Sequence, residues 1–383
     1  MTTNRRLLFV DHAGVLGGAE FSLLDVIDAY MPGAGVTLFA DGPFRTVLEQ
    51  RGVPVEVDPL GAFAGVKKSG RLPSPPAVWD AFSHARQLAR RARSFDVLYA
   101  NSQKAFVVSA IAGWLAGRPV VWHLRDILAP PHFTSANARA VVWLANRAAA
   151  RVIANSHATA AAFVSAGGNA ALVCVVHNGI DAAPFDAVTD GEAHSCRAEL
   201  GVTSGVPLIV HVGRFHYWKG QHVLLRALAD VPSAQAWFVG APLFGEEVYA
   251  TKLRAEADAL GVSSRVQFLG FRDDVARLMR AADVIVHSSV YPEPFGRVVV
   301  EGMLAGRPVI ASRAGGVEEI VTDRETGWLV PPGDAGALAQ AISAVIADPE
   351  LATLTATRGA KHARGHFTRA AMVRGVIEAV ERA

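Results

Sequence analysis

Two glutamates, Glu293 and Glu301, enclose the segment Pro294-Phe295-Gly296-Arg297-Val298-Val299-Val300. The segment follows an apolar run, Val284–His287, and its aliphatic residues open a helix predicted to reach about Ala305. The unpaired N–H groups of a first helical turn bind anions. The amides of Phe295, Gly296, Arg297 and Val298 are therefore candidates to meet phosphate or sugar oxygens. Glu293, in the loop, can accept hydrogen bonds from sugar hydroxyls. Glu301, expected two turns into the helix, can hold a ribose diol in the same way. The same stretch also reads more plainly, as a turn followed by a helix whose surface Glu301 decorates.

A second constellation is Gly213-Arg214-Phe215-His216-Tyr217-Trp218-Lys219-Gly220, placed after the apolar run Leu208–Val212. Arg214, as a planar fork, and Lys219, as a point charge, can converge on a diphosphate. Each charge-assisted bond contributes about 1.5–3 kcal/mol. Such cations stabilise a departing diphosphate more than its ground state, because it gains charge as it leaves. Two surface ion-pair partners would show the same residue types. A third signal, Asp11-His12-Ala13-Gly14-Val15-Leu16-Gly17-Gly18-Ala19-Glu20, leaves a strand and enters a helix. Gly17 and Gly18 let the backbone approach a ligand closely. Asp41 stands where a dinucleotide fold keeps its ribose-binding acid, but the glycines lack the G-x-G-x-x-G spacing and disfavour a nicotinamide cofactor. Finally, His123, Arg125 and Asp126 come at the end of a strand beginning at Pro119. A lone histidine is more often structural than catalytic; its strand-end position makes it a candidate here, with Arg125 and Asp126 as acceptor contacts.

Short β-branched runs alternate with helical patterns along the whole chain, the signature of parallel α/β architecture. Strands are predicted at Arg6–Asp11, Val36–Ala40, Val53–Val57, Val97–Ala100, Pro119–Trp122, Arg151–Ala154 and Leu172–Val176. A second series falls at Leu208–Val212, Ala236–Val239, Val266–Leu269, Val284–His287, Pro308–Ala311 and Gly327–Val330. Ligands of such folds sit at the carboxyl ends of the strands, where the polar residues above stand. The expected organisation is a Rossmann-like domain over 1–183, a polar linker over 184–204 with a short helical piece at Ser195–Leu200, a second Rossmann-like domain over 205–365, and a final helical segment over 366–383.

The Glu293–Glu301 stretch resembles the E-x7-E element of the retaining GT-B glycosyltransferases of family 4, the glycosyl transferases group 1. Gly306-Arg307-Pro308-Val309-Ile310, Ala314-Gly315-Gly316-Val317-Glu318-Glu319 and Gly327-Trp328-Leu329-Val330-Pro331 resemble the segments that follow it in that family. Relatives often have proline where Glu318 stands. Gly213 to Gly220 resembles the family's G-R-x4-K-G element, and Gly17 to Glu20 its G-G-A-E loop, which closes over the donor. The resemblance implies a GT-B fold, with two Rossmann-like domains whose parallel sheets face across a cleft and a last helix that crosses back to the first. It implies hexosyl transfer with retention from a nucleotide-diphosphate sugar, UDP- or GDP-linked, to a glycan or lipid-linked acceptor. It further implies that His123 hydrogen-bonds the transferred sugar, that Glu293 positions its hydroxyls, and that the backbone around Phe271 meets the base. Non-hydrolysing sugar-nucleotide epimerases and silent sugar-nucleotide-binding subunits share this fold and are the alternatives.

Of the chain's 383 residues 51% are hydrophobic and 19% charged, and the net charge is +2. That composition excludes disorder and offers no global attraction for nucleic acid. There is no Asp-x-Asp, P-loop, G-x-S-x-G or Cys/His cluster, so neither a metal nor a resident cofactor is expected, the donor being a substrate. The two cysteines, Cys174 and Cys196, fit a reducing compartment, and a cytoplasmic location is expected. From Lys67 to Arg118 nine basic residues face only Asp80 and Asp96. Peripheral contact of this region with an anionic inner-membrane face is a further expectation.

Overall fold

The computed structural model describes residues 5–70, 72–242 and 245–383; Arg71, one of the basic residues above, lies outside the described residues. The chain forms two compact units, Met1–Gly179 together with Arg369–Ala383, and Ile180–Thr368.

In the first unit β1 (Leu7–Asp11), α1 (Gly18–Ala29), β2 (Ala34–Leu38), α2 (Pro43–Gln50), β3 (Val55–Val57), α3 (Pro75–Ala92), β4 (Val97–Ala100), α4 (Gln103–Ala116), β5 (Val120–Leu124), α5 (Ser135–Ala148), β6 (Arg151–Ala154), α6 (His157–Ser165) and β7 (Val173–Val175) follow in sequence. The sheet is parallel, in the order β3-β2-β1-β4-β5-β6-β7. Alternation along each strand feeds two cores. Leu8, Val10, Leu98 and Trp122 face α3, α4 and α5, and Trp122 stacks on Phe106 of α4 at 4.4 Å. Leu7, Phe9, Tyr99 and Val121 face the other way, where Met372, Val376 and Val380 also pack. Strand order reverses at β1, whose neighbours are β2 and β4. Loops leaving β1 and β4 therefore diverge and open a crevice at the sheet's carboxyl edge.

The second unit runs α7 (Ala183–Asp186), α8 (Asp190–Glu199), β8 (Leu208–Val212), α9 (Gln221–Ala229), β9 (Gln235–Val239), α10 (Glu247–Ala259), β10 (Val266–Gly270), α11 (Val275–Ala281), β11 (Val284–His287), α12 (Arg297–Leu304), β12 (Val309–Ser312), α13 (Val317–Ile320), β13 (Trp328–Val330), α14 (Ala335–Ala347) and α15 (Pro349–His366). Its parallel sheet has the order β10-β9-β8-β11-β12-β13, so the reversal falls between β8 and its two neighbours. The final helix, α16 (Arg369–Glu381), belongs to the first unit. Arg369 pairs there with Asp25 at 2.9 Å and Asp28 at 2.8 Å.

Residues 184–204, read above as a linker, fold into the second unit. Thr189 and Glu192 form a reciprocal capping box that starts α8 at Asp190 rather than at Ser195. Phe185 and Cys196 are buried in the core beside Leu278 and Met279. The Arg197 guanidinium reaches the Asp283 carboxylate and the Val206 carbonyl, both at 2.8 Å. If these residues are structural, Phe185→Ala lowers the unfolding free energy of the chain by about 3 kcal/mol, as a core phenylalanine does. Denaturant titration followed by circular dichroism measures this, and a change near zero would restore the linker reading.

Candidate active site

In the second unit, the loops leaving β8 and β11 meet because those strands are neighbours. Lys219, from the first loop, places Nζ 2.5 Å from Oε1 of Glu293, from the second. The same oxygen accepts from the Ser289 hydroxyl at 2.6 Å and lies 3.1 Å from His287 Nε2. All three contacts fall on Oε1, and Oε2 has no hydrogen bond among the described residues. Glu293 is buried. Burial alone would raise its carboxyl, but the Lys219 charge and the His287 contact hold it well below the usual carboxylate range. The Trp218 ring lies under both cations, 4.3 Å from Lys219 Nζ and 5.8 Å from Arg214 Cζ.

The backbone of this loop is fixed from below. Gly220 adopts φ +71°, and a Cβ there would stand 1.8 Å from the Ser288 carbonyl oxygen, so the approach of the two loops requires glycine. His211 of β8 sets Nε2 3.3 Å from the Lys219 carbonyl and 3.1 Å from Ser288 Oγ. Burial, aided by His287, pushes its pKa down to about 3, so it stays neutral. Gly296 ends the loop at φ +106° and caps α12. Glu301 stands one turn into that helix, not two, and pairs with Arg297 at 3.3 Å.

The first unit gathers a second polar cluster at the ends of β1, β4 and β5. Asp11 accepts from Asn101 Nδ2 at 2.5 Å and from the His12 amide at 2.6 Å. Asn101 Oδ1 accepts from Arg125 Nε at 2.6 Å, and Asn178 Oδ1 from Arg125 Nη1 at 3.0 Å. Arg125 Nη2 lies 3.2 Å from His123 Nδ1, which also meets the Tyr99 hydroxyl. A guanidinium only donates, so Nδ1 carries the lone pair and Nε2 the proton. Burial and the Arg125 charge hold the ring's pKa well below its usual value. The His123 Nε2–H is buried and has no partner among the described residues. Glu20 reaches back to the Gly17 amide at 2.9 Å and starts α1.

The glycosyl transferases group 1 model matches residues 195–362, and the glycosyltransferase family 4 model matches residues 16–183. A D-inositol 3-phosphate glycosyltransferase of Mycolicibacterium smegmatis is 30% identical over 370 residues, covering 91% of this chain and 80% of the relative. The chain belongs to the group 1 glycosyl transferases. The lipopolysaccharide core biosynthesis glycosyltransferase LpsE of Rhizobium meliloti is 37% identical over 182 residues, 48% of this chain. The chain spans about half the length of that relative, 52%. The crystal structure of Anabaena HepE in complex with UDP and glucose aligns with a TM-score of 0.91 at 40% identity, over 99% of this chain and 100% of that one. With it, the two parallel-sheet Rossmann-like units are those of the GT-B fold.

For this group 1 member, the residues singled out from sequence fall into two sets. Arg214, Lys219 and Glu293 share one cluster with Trp218. Arg297 and Glu301 form a pair on the first turn and a half of α12, and Phe295 is buried core. Phe271 follows β10 and is exposed, its neighbour Gly270 accepting from the Gly240 amide at 2.8 Å. His123 lies inside β5 rather than beyond it. Arg125 joins Asn101, Asn178 and His123, so it positions other residues. Asp126 accepts from Lys68 at 2.5 Å, a contact that outweighs burial and keeps its carboxyl low. Sequence reasoning missed His211, His287, Ser289, Tyr99 and Asn101. Each is a polar residue in or just after a strand of the switch region, and that position is the only signal they carry.

Burial and the neighbouring Asp11 charge raise the Glu20 pKa from 4.5 to about 7. The fold thus resists ionising Glu20. Its contribution to stability is complete below pH 4.5 and is lost as pH rises to about 7, a loss on the order of 2–3 kcal/mol. Glu20→Gln keeps an acceptor for Gly17 without the charge. It is expected to melt about 5 °C above the parent at pH 8 and equal to it at pH 4.5; a lower melting temperature at pH 8 would contradict this assignment.

Proposed function

We propose that this chain is a glycosyltransferase that moves a hexosyl unit, with retention, from a nucleotide-diphosphate sugar to a hydroxyl of a glycan or lipid-linked glycan. The observation that carries the reading is the buried Glu293 carboxylate, held ionised by Lys219, with no hydrogen bond to Oε2 among the described residues, beside the second cation Arg214. HepE, similar over its whole length, was solved with UDP and glucose, which supports UDP as the departing nucleotide. The names of the curated relatives support saccharide or phosphate-bearing polyol acceptors.

On this reading Arg214 and Lys219 meet the diphosphate, and their attraction grows as negative charge builds on it. Charge neutralisation by two side chains makes the transfer metal-independent. Glu293 is committed on one oxygen to three donors and accepts sugar hydroxyls on the other, so it orients the sugar rather than attacking it. In same-face transfer the bond from the anomeric carbon to the diphosphate oxygen breaks, and the bond to the acceptor oxygen forms on the same side. The acceptor's proton passes to the departing diphosphate. His123 offers a neutral N–H to a substrate hydroxyl, and Glu301 receives the ribose diol. The reaction belongs to the cytoplasm, where nucleotide sugars are made.

Glu293→Ala and Lys219→Ala are each expected to lower turnover of UDP-glucose at least about 100-fold, equivalent to about 2.7 kcal/mol. Release of UDP, followed with a panel of UDP-, GDP-, ADP- and TDP-sugars and saccharide acceptors, measures it. Near-parental rates in both variants would sink the assignment of the site. Interconversion of the donor sugar without any acceptor would favour an epimerase instead.

A further inference from the structure

Three tryptophans stand in solvent on one helical layer of the first unit. Trp79 of α3 is 72% exposed, Trp114 of α4 81% and Trp143 of α5 57%. Trp122 and Trp237, by contrast, are buried. A soluble surface tolerates single apolar residues, but contiguous patches of large ones mark an interaction site.

The layer's inner side is fully satisfied. Ala77, Ala81, Ala85 and Leu88 of α3, Phe106 of α4, and Val141, Val142 and Ala145 of α5 all pack on the sheet. The outer side continues from helix to helix. Pro73, Pro75, Val78, Trp79 and Phe82 form with Ile111 of α4 an apolar groove of about 630 Å³. Trp114 lies one turn beyond Ile111 on the same side of α4, and Leu72, also exposed, precedes α3. On α5, the Arg147 guanidinium covers the Trp143 ring at 4.1 Å.

The charge around this apolar face has one sign. Arg86 and Arg90 of α3, Arg93 just after it, Arg139 and Arg147 of α5, and Lys67 in the preceding loop are all exposed. Asp80, the acid within α3, is turned aside: it accepts the Phe63 amide at 3.0 Å and pairs with His84 at 3.5 Å. Tryptophans flanked by arginines match the headgroup region of an anionic bilayer, where indole sits at the boundary and guanidinium pairs with phosphate. A second copy of this chain fits less well, because a two-fold contact would set these arginines against themselves. Among the described residues no single helix is long and apolar enough to cross a bilayer, so the contact is one of lying upon it.

We propose that the outer face of α3, α4 and α5 docks on anionic phospholipid, with Trp79, Trp114 and Trp143 at headgroup depth. The sequence alone pointed only to basic charge; the apolar half of the surface comes from the fold. The inference does not rest on the donor site, and its test does not measure transfer.

The full chain is floated with vesicles of phosphatidylglycerol mixed with phosphatidylcholine, and with phosphatidylcholine alone, at about 0.15 M salt. Partition into the anionic vesicles with a blue shift of tryptophan emission is expected. The triple variant W79S/W114S/W143S is expected to lower that partition at least about 10-fold. R86Q/R90Q/R93Q is expected to lower it about as much and to flatten its salt dependence. All six positions are exposed, so unchanged melting curves show that both variants fold. No partition of the parent chain into anionic vesicles overturns the proposal, as does undiminished partition of the tryptophan variant. So does a vesicle-free dimer, seen by sedimentation, that the tryptophan variant abolishes, since a second copy would then own the face.

Discussion

The Lys219–Glu293 ion pair is the contact around which the second unit's site is organised. A buried carboxylate costs several kcal/mol to desolvate and persists only where a partner and good hydrogen bonds offset that cost. Here the offset comes from a lysine after β8, from the histidine that ends β11 and from a serine just after it. Only the adjacency of those two strands lets the loops meet. Gly220, with no room for a Cβ against the Ser288 carbonyl, is the local condition for that meeting, and neutral His211 holds the lysine's own carbonyl.

The first unit builds a comparable cluster by the same topological means, with neutral chemistry at its end. Asp11, Asn101 and Arg125 form a chain of charge-assisted bonds across β1, β4 and β5, and it ends at the imidazole of His123. Because the guanidinium must donate, the tautomer of His123 is fixed and a single N–H remains to offer. Asp11 is kept ionised by its donors, while Glu20 nearby resists ionisation. Two carboxyls at either end of one loop are thereby driven apart in acidity, the pattern that concentrates at functional sites.

Much of this was legible in the residues. The thirteen strands among the described residues lie where β-branched runs stand between helical patterns, because a parallel strand covered on both faces has to be apolar throughout. Arg214, Lys219 and Glu293 were visible since spacing and charge single them out. The misreadings have physical causes. Residues 184–204 look polar because α7 and α8 each bury only a narrow side, and the Thr189–Glu192 box is a short signal. Glu301 sits nearer the helix start because Gly296, in the left-handed region, delays that start to Arg297. His287 and Ser289 carry no spacing signature at all; their importance exists only once β8 and β11 are side by side.

The return of α16 to the first unit reaches beyond the site. Ile180 and Thr368 are bridged, with the Ile180 amide donating to the Phe367 carbonyl at 2.9 Å. Outgoing and incoming chain therefore run together where they cross between units. Met372, Val376 and Val380 complete a core otherwise drawn mainly from residues of the first half of the sequence. On the ribosome, the half synthesised first must wait with that face uncovered until α16 emerges. The second unit, contiguous in sequence, has no such delay, so the order of translation and the order of final consolidation are reversed.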